Sequence, residues 1–167
     1  MAHPSRLSSI SYCEQYPYFL TTCTQARARV LVCPVVVDLV MAQFLRSALD
    51  AGVAVLAYCV MPDHLHLLVE PDVKTIGVSA WMARSKQHSG HAWAQARDAR
   101  LWQVGYHDRV LRSHEAVPRV IAYMLDNPVR AGLVEHTRDY PFWGSPTHSR
   151  GELLTIAGEA RNDRWYP

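Results

Sequence analysis

The chain has 167 residues, of which 49% are hydrophobic and 19% are charged, so it is expected to form one folded domain and is not a disordered chain. The net charge is only +2, but the stretch 74–119 holds eight Lys or Arg against three Asp or Glu, a net +5, while the remainder carries −3. A basic stretch in a near-neutral protein favours a polyanionic partner over a membrane surface, although a solvated charged face gives the same pattern.

The cysteines and the first residues bear on the compartment. None of the four cysteines belongs to a C-x-x-C pair, so a structural zinc site is not expected: Cys13, Cys23, Cys33 and Cys59. Residues 1–15 lack the apolar core of a signal peptide, and no apolar run approaches the length of a membrane span. We therefore expect a cytoplasmic protein with reduced thiols and no membrane partner.

The first half of the chain predicts a strand, a helix and two further strands. Residues 18–24 (YFLTTCT) are rich in β-forming residues. Pro34 then begins a stretch with helical apolar spacing that Gly52 ends. The apolar run 53–61 predicts a strand, and a short Pro-Asp turn connects it to a strand at 64–70, so these two strands are antiparallel.

The second half predicts a helix, a strand and a last helix. Thr75 can cap a long helix that runs to about Arg97, and residues 102–111 are expected to form a strand. Ser113 can cap the last helix, which is predicted to stop at Asn127-Pro128 because the residue before proline disfavours the α region.

This order, β-α-β-β-α-β-α, predicts an α+β fold. Its core is the ferredoxin-like βαββαβ arrangement, an antiparallel sheet with helices on one face, followed by a C-terminal helix that carries Tyr123. We expect one domain over residues 1–145 and a loosely ordered tail over 146–167, where periodicity is lost. Many functions use this fold, so the function must be argued from side chains.

Two histidines stand in the strand predicted at 64–70. Alternate residues of a strand point to the same face, so His64 and His66 share one side while Leu65 and Leu67 face the other. Two imidazoles on one face form half of a metal site, but two separately hydrogen-bonded histidines would give the same H-x-H pattern. Glu70 shares their face but lies about 20 Å along the strand, too far to complete the site.

Tyr123 is the second candidate. It lies about 130° around the last predicted helix from the centre of the apolar stripe, so it is not a natural core residue. Asn127 follows four residues later and is therefore its neighbour on the helix surface. The pair offers a phenol and an amide oxygen together, although Asn before Pro is also an ordinary signal for the end of a helix.

Three segments together resemble one known family. They are, in chain order, YCVMPDHLHLLVEP (58–71), LWQVGYHDRVLR (101–112) and YMLDNPVRAGLV (123–134). From about Tyr18 to Ser145 the chain is similar to IS200-like transposases, in particular to their branch of REP-associated tyrosine transposases. Two details differ: Asp63 stands where that family usually has Asn, and residues 142–145 (FWGS) replace a frequent Trp-Ser-Ser-Tyr run.

The resemblance implies a site and an activity. His64 and His66 would be paired ligands of Mg²⁺ or Mn²⁺, Asn127 the third ligand and Tyr123 the nucleophile. The enzyme would be a metal-dependent endonuclease and strand transferase for single-stranded DNA, acting through a covalent 5′-phosphotyrosine that leaves a free 3′ hydroxyl. Hairpin-forming, REP-like repeats would be its substrate, and it would act as a monomer or homodimer.

Six residues of the basic stretch are the predicted DNA contacts. Four are expected to bind phosphates: Arg84, Lys86, Arg109 and Arg112. Trp102 and Tyr106 offer stacking surfaces for bases. Each has an ordinary alternative, because helix cations are usually solvated and a tryptophan such as Trp102 suits a core equally well.

Three other functions fit parts of the sequence. One is a non-catalytic nucleic-acid-binding module on a ferredoxin-like sheet. RRM-type modules of this kind need exposed aromatics on the central strands, and HLHLLVE has none. A small zinc hydrolase built on H-x-H would need further His or carboxylate ligands, and an amide is a poor zinc ligand. A domesticated relative that binds hairpin DNA without cutting it is the main alternative. Metal-dependent cleavage of single-stranded DNA distinguishes all three.

Overall fold

A computed structural model describes residues 16–72, 76–113 and 116–160. Nine helices and strands follow one another in this part of the chain: β1 (Tyr18–Cys23), α1 (Pro34–Ala51), β2 (Val53–Met61), β3 (His64–Pro71), α2 (Val78–Arg97), β4 (His107–Val110), α3 (Val117–Arg130), β5 (Trp143–Gly144) and α4 (Arg150–Ala160). None of the helices described here has the length and apolar character needed to cross a bilayer.

The strands form one antiparallel sheet in the order β4-β1-β3-β2-β5. The histidine-bearing strand β3 therefore lies at the centre, between β1 and β2. Its partners in register are Thr21 and Cys59 at His66, and Cys23 and Met61 at His64. This position buries the strand on both faces and fixes the backbone from which the histidines project.

Helices α1 and α2 cover one face of the sheet. The alternate residues Leu65, Leu67 and Val69 of β3 are fully buried there, in a cluster that also contains Phe44 of α1 and Trp81 of α2. This is the apolar side that the sequence predicts. Within it, the indole nitrogen of Trp81 donates to the carbonyl of Phe44 (3.4 Å).

Helices α3 and α4 cover the opposite face of the sheet. The strand residues that alternate with those of the α1–α2 cluster point to this face. Phe19, Leu68 and Cys59 pack there against Ile121 and Leu125 of α3. The predicted fold class is confirmed: two helices lie on one face as expected, and the helix that carries Tyr123 is added on the other. Because β3 alternates, its histidines belong to this second face.

The strand predicted at 102–111 is wrong in its first half. Only His107–Val110 pair with β1, and Trp102 joins the sheet through an isolated bridge to Thr24. Gly105 explains the break, because its φ of 75° lies in the left-handed region and turns the chain between the bridge and the strand.

Both predicted bounds of the last helix are wrong. The helix begins at Val117 with Ala116 as N-cap, not at Ser113, and it runs past Pro128 to Arg130. A proline so near a C-terminus removes only one backbone hydrogen bond. The amide of the C-cap residue Ala131 still donates to the carbonyl of Asn127 (2.9 Å). The Thr75 cap of α2 lies outside the described residues; that helix begins at Val78 after Gly77.

The prediction of a loose tail is wrong for residues 150–160, which form α4 and bury Leu153 and Ala157 against α3. A capping box starts this helix: the amide of Ser149 donates to the carboxylate of Glu152 (2.7 Å), and the amide of Glu152 donates to the Ser149 hydroxyl (3.2 Å). Residues 161–167 lie outside the described part.

Candidate metal and tyrosine site

Strand β3 presents two imidazoles at one point. The Nε2 atoms of His64 and His66 are 3.1 Å apart, and their ring centroids are 4.6 Å apart. His66 is only 6% exposed, while the side chain of His64 is 17% exposed. The pair therefore lies at the edge of the interior, with His66 deeper in the domain and His64 closer to solvent.

Each ring is held through its other nitrogen. Nδ1 of His64 lies 2.6 Å from the Asp63 carboxylate, and Nδ1 of His66 lies 2.8 Å from the hydroxyl of Thr21 on the neighbouring strand. Arg27 completes the arrangement through an ion pair with the second Asp63 oxygen (3.3 Å). Ligands of metal ions are commonly oriented in this way by partners on the distal ring nitrogen.

Burial disfavours the charged form of both histidines. Burial lowers the pKa of His66 to about 3, with the nearby His64 and Arg27 acting in the same direction. Burial also lowers the pKa of His64, and this outweighs the opposing effect of Asp63. For Asp63 burial acts to raise the pKa, but the hydrogen bond and charge of His64, together with Arg27, lower it overall. Two neutral imidazoles can each offer a lone pair to a cation.

The spacing of the two Nε2 atoms fits a six-coordinate cation. Adjacent ligands at right angles, each about 2.1 Å from Mg²⁺, are about 3.0 Å apart, close to the 3.1 Å observed. Within residues 16–72, 76–113 and 116–160, no group of three or more His, Cys, Asp or Glu could hold an ion.

Helix α3 brings Tyr123 to this pair. The half-buried phenol ring lies with its centroid 6.2 Å from that of His66 and 5.9 Å, edge-on, from that of Phe19. The guanidinium of Arg130, two turns further along the helix, lies 5.0 Å from the centre of the same ring. The sequence predicts a tyrosine on the flank of the apolar stripe, and such a position lets the ring reach the histidines from above the sheet.

Asn127 lies one turn beyond Tyr123. Its amide nitrogen donates to the Tyr123 carbonyl (3.0 Å), so the amide oxygen is the atom that can ligate. Asn127 is half-buried inside the helix rather than at its end, so its use as a stop signal is wrong. Its role as a third ligand stays a prediction.

The predicted DNA contacts divide between the two faces of the sheet. Arg109 of β4 pairs with Phe19, so its exposed side chain stands on the histidine face, and exposed Arg112 follows just after β4. Exposed Arg84 is on α2, which covers the opposite face. Tyr106 packs, half-buried, against the α1–α2 core. Phosphate contacts by these arginines stay predictions.

Two of the predicted contacts have internal partners. Trp102 is 4% exposed and donates its indole N–H to Ser89 (2.9 Å), so the prediction of a stacking surface is wrong for this residue. The ammonium of Lys86 donates to the carbonyls of Gln103 and Gly105, and burial lowers the pKa of Lys86 to about 8. Lys86 thus braces the loop before β4, and its contact with phosphate stays a prediction.

The sequence did not reveal four residues around the site. Asp63 could have been suspected as the residue directly before a histidine, but Thr21, Arg27 and His107 could not. Thr21 and His107 are a register pair on the β1–β4 ladder and share the face of His66, whereas Arg27 reaches Asp63 from 36 residues away. Strand pairing aligns Thr21 and His107, and the turn after β1 brings Arg27 to Asp63.

Comparisons with known proteins agree on the family. The family model described as "Transposase IS200 like" matches residues 12–124. A protein of Haemophilus influenzae, provisionally named a REP-associated tyrosine transposase, is 26% identical over 98 residues, which are 52% of this chain and 55% of that protein. The chain thus spans about half the length of this curated relative.

Solved structures share the fold. A REP-associated tyrosine transposase bound to a REP hairpin superposes with a TM-score of 0.72 and 20% identity over 86% of this chain and 82% of that one. A provisionally named transposase from Deinococcus radiodurans superposes with a TM-score of 0.52 and 21% identity, over 71% of this chain and 94% of that one. A bacterial tRNA(His) guanylyltransferase-like protein in complex with GTP superposes with a TM-score of 0.55 and 9% identity, over 89% of this chain and 88% of that one. The fold alone therefore does not define the chemistry.

Proposed function

Since the chain belongs to the IS200-like transposase family, we propose that it cuts and rejoins single-stranded DNA with Tyr123 as the nucleophile beside a divalent metal held by His64 and His66. One observation carries this proposal: the Tyr123 ring lies 6.2 Å from His66, whose Nε2 meets that of His64 at 3.1 Å. A phenol and a convergent pair of neutral imidazoles are the groups that this reaction needs in one place.

Tyr123 would form the new bond. Its phenol oxygen attacks the scissile phosphorus, and the bond from that phosphorus to the 3′ oxygen breaks. The 3′ oxygen leaves with a proton as a hydroxyl, and the 5′ phosphate stays on the tyrosine. Attack by another 3′ hydroxyl reverses the step and joins the strands, so no external energy source is needed.

The surrounding residues would set up this attack. His64, His66 and the amide oxygen of Asn127 are the proposed ligands, and Mg²⁺ or Mn²⁺ bound there would supply positive charge to the scissile phosphate. Phe19 and Arg130 hold the Tyr123 ring from two sides. The positive charge of Arg130 over the ring would also favour the phenolate that leaves during rejoining.

The substrate we propose is a DNA hairpin with a single-stranded flank, drawn from REP-like repeats. The similar structure contains a transposase bound to a REP hairpin. A single strand is favoured at the cleavage point, because a flexible strand can bring its phosphate to the phenol beside the histidines at less deformation cost than a stiff duplex. Within the basic stretch 74–119, exposed Arg109 on the histidine face and exposed Arg112 just after β4 would hold the stem backbone.

Cleavage of three matched oligonucleotides tests the proposal: a hairpin with a single-stranded flank, an unstructured single strand and a full duplex. They should be designed from the palindromes that flank the gene. With Mn²⁺ present, we expect a covalent protein–DNA adduct on the hairpin, little on the single strand and none on the duplex. Efficient cutting of the duplex would contradict the proposed substrate.

Two variants identify the atoms involved. Tyr123→Phe removes only the attacking oxygen, so binding of the hairpin should persist while the adduct disappears on a denaturing gel. An adduct in this variant would assign the nucleophile to another residue. Hairpin binding by the parent protein with no cleavage under any metal would favour the non-catalytic alternative.

A further inference from the structure

We propose that Asp63, braced by Arg27, is a positioning residue that keeps His64 in the tautomer whose Nε2 lone pair faces the proposed metal position. The inference rests on the proposed function and assigns a residue beyond the ligands themselves. Its basis is the contact of the Asp63 carboxylate with Nδ1 of His64, at 2.6 Å, and the ion pair of its other oxygen with Arg27, at 3.3 Å.

The proton position follows from hydrogen-bond chemistry. An ionised carboxylate only accepts hydrogen bonds, so Nδ1 of His64 must carry the ring proton and donate it to Asp63. A neutral imidazole has one N–H, so Nε2 of His64 then carries a lone pair. The guanidinium of Arg27 also approaches Nδ1 (3.3 Å), but two donors face each other there, and this approach is a contact rather than a hydrogen bond.

His66 differs from His64 in this respect. Its Nδ1 partner is the Thr21 hydroxyl (2.8 Å), which can either donate or accept. Thr21 therefore accommodates both tautomers of His66, including the one in which His66 donates its Nε2 proton to His64 across the 3.1 Å gap. Only His64 has its lone pair held in advance, so its partners decide how ready the pair is to receive a cation.

The turn that carries Arg27 is built onto Asp63. The Thr24 amide and hydroxyl both donate to the Asp63 carbonyl, at 2.9 and 3.0 Å. Ala26 and Arg27 adopt φ values of 53° and 54°, a left-handed conformation that non-glycine residues rarely take. Backbone strain of this kind persists only where the surroundings impose it, and it collects at functional sites. Here it directs the guanidinium to the carboxylate.

The test measures the tautomer and the metal affinity separately, on the full chain. Long-range ¹H–¹⁵N spectra of the imidazoles report which nitrogen carries the proton. Titration with Mn²⁺ alone reports affinity. The variants are Asp63→Ala, Asp63→Asn and Arg27→Gln, and the matched controls are Asp38→Ala and Arg29→Gln, which change exposed residues of the same types.

In the parent we expect His64 to hold its proton on Nδ1. Asp63→Ala should release it into a mixture of tautomers and weaken Mn²⁺ binding about 10- to 100-fold. Asp63→Asn keeps an acceptor oxygen, so it should restore the tautomer and lose less affinity. Arg27→Gln should lie between Asp63→Asn and Asp63→Ala in affinity, while both controls match the parent.

The outcomes separate this inference from the function on which it rests. A parent-like tautomer together with parent-like Mn²⁺ affinity in Asp63→Ala would overturn the inference, and so would an Nε2-protonated His64 in the parent. If Asp63→Ala does not fold, Asp63→Asn and Arg27→Gln decide the question. The inference is overturned if both variants keep the parental His64 tautomer and neither loses Mn²⁺ affinity. Equal Mn²⁺ binding by the parent and His66→Ala would instead overturn the proposed metal site, and the tautomer spectra would still decide the role of Asp63.

Discussion

The two faces of the sheet differ in what they bury. On the α1–α2 face, β3 contributes Leu65, Leu67 and Val69 to an apolar core closed by Phe44 and Trp81. On the α3–α4 face, the same strand contributes both histidines, beside Thr21 and Tyr123. Residues that are neighbours in sequence thus serve packing on one side and chemistry on the other.

This difference shows how a small domain supports a polar site. Burying a polar group costs free energy unless it is hydrogen-bonded, and the buried Nδ1 of His66 meets that condition through Thr21. Apolar packing on both faces holds β3 in place, with Leu65 and Leu67 on one side and Leu68 beside the histidines on the other. The following predictions test the separation, beginning with the largest expected effect.

Two Tyr→Phe substitutions should separate chemistry from packing. Tyr123→Phe should reduce adduct formation by more than about a thousandfold, because the nucleophile is lost, with little change in thermal unfolding. Tyr140→Phe removes a buried hydrogen bond to the Val60 carbonyl (2.7 Å) and should lower the free energy of unfolding by about 1–3 kcal/mol while leaving the adduct intact. Calorimetry and denaturing gels measure both; equal loss of adduct in the two variants would refute the separation.

His66→Ala should abolish cleavage, on the order of a hundredfold or more, and EDTA should have the same effect on the parent. The proposed cause is the loss of one of two convergent imidazole ligands. His88→Ala, on the exposed surface of α2, is the control and should cut at the parental rate. Full activity of His66→Ala in EDTA would rule out the metal site.

Leu67→Ala tests the other face one residue along the strand. Leu67 is fully buried, so its truncation should lower the free energy of unfolding by about 2–5 kcal/mol. The rate per folded molecule should stay within about twofold of the parent, because the histidines keep their strand. Denaturant unfolding and cleavage below the unfolding transition check this, and a large rate loss in fully folded protein would show that the faces are coupled.

Asn127→Ala should have a smaller effect than loss of either histidine. An amide oxygen is the weakest of the three proposed ligands, so we expect about tenfold more Mn²⁺ to be needed for half-maximal cleavage, with near-normal rates at saturation. The measurement is the metal dependence of adduct formation. A loss that high Mn²⁺ does not restore would assign Asn127 a role other than ligation.

The smallest effect concerns the cations. Arg109→Gln should lower the slope of log affinity against log salt for hairpin DNA by about one, because Arg109 stands exposed on the histidine face. Lys86→Met should leave that slope unchanged and lower the unfolding temperature, since Lys86 donates to Gln103 and Gly105. The reverse result would mean that DNA binds on the α1–α2 face.

Local patterns were sufficient for most of the architecture. The alternation in HLHLLVE placed both histidines on one face, and the helical period placed Tyr123 at the edge of an apolar stripe, because side-chain direction follows from strand and helix geometry. The order of strands and helices then predicted the sheet. Helix ends are less predictable: Pro128 is tolerated near a C-terminus, and a Ser149–Glu152 cap starts α4 where the loss of periodicity predicts a loose tail.

The sequence by itself determined which residues could do chemistry: a same-face histidine pair and a tyrosine with an asparagine one turn away. Only the tertiary structure decided how these groups meet. Contacts between β1, β3 and the turn after β1 set this geometry. They bring the imidazoles to 3.1 Å, place Asp63 and Thr21 against the Nδ1 atoms of the rings, and form the ion pair with Arg27. Such contacts join residues up to 45 positions apart. No local period encodes them, because they arise only when the sheet brings its strands into register.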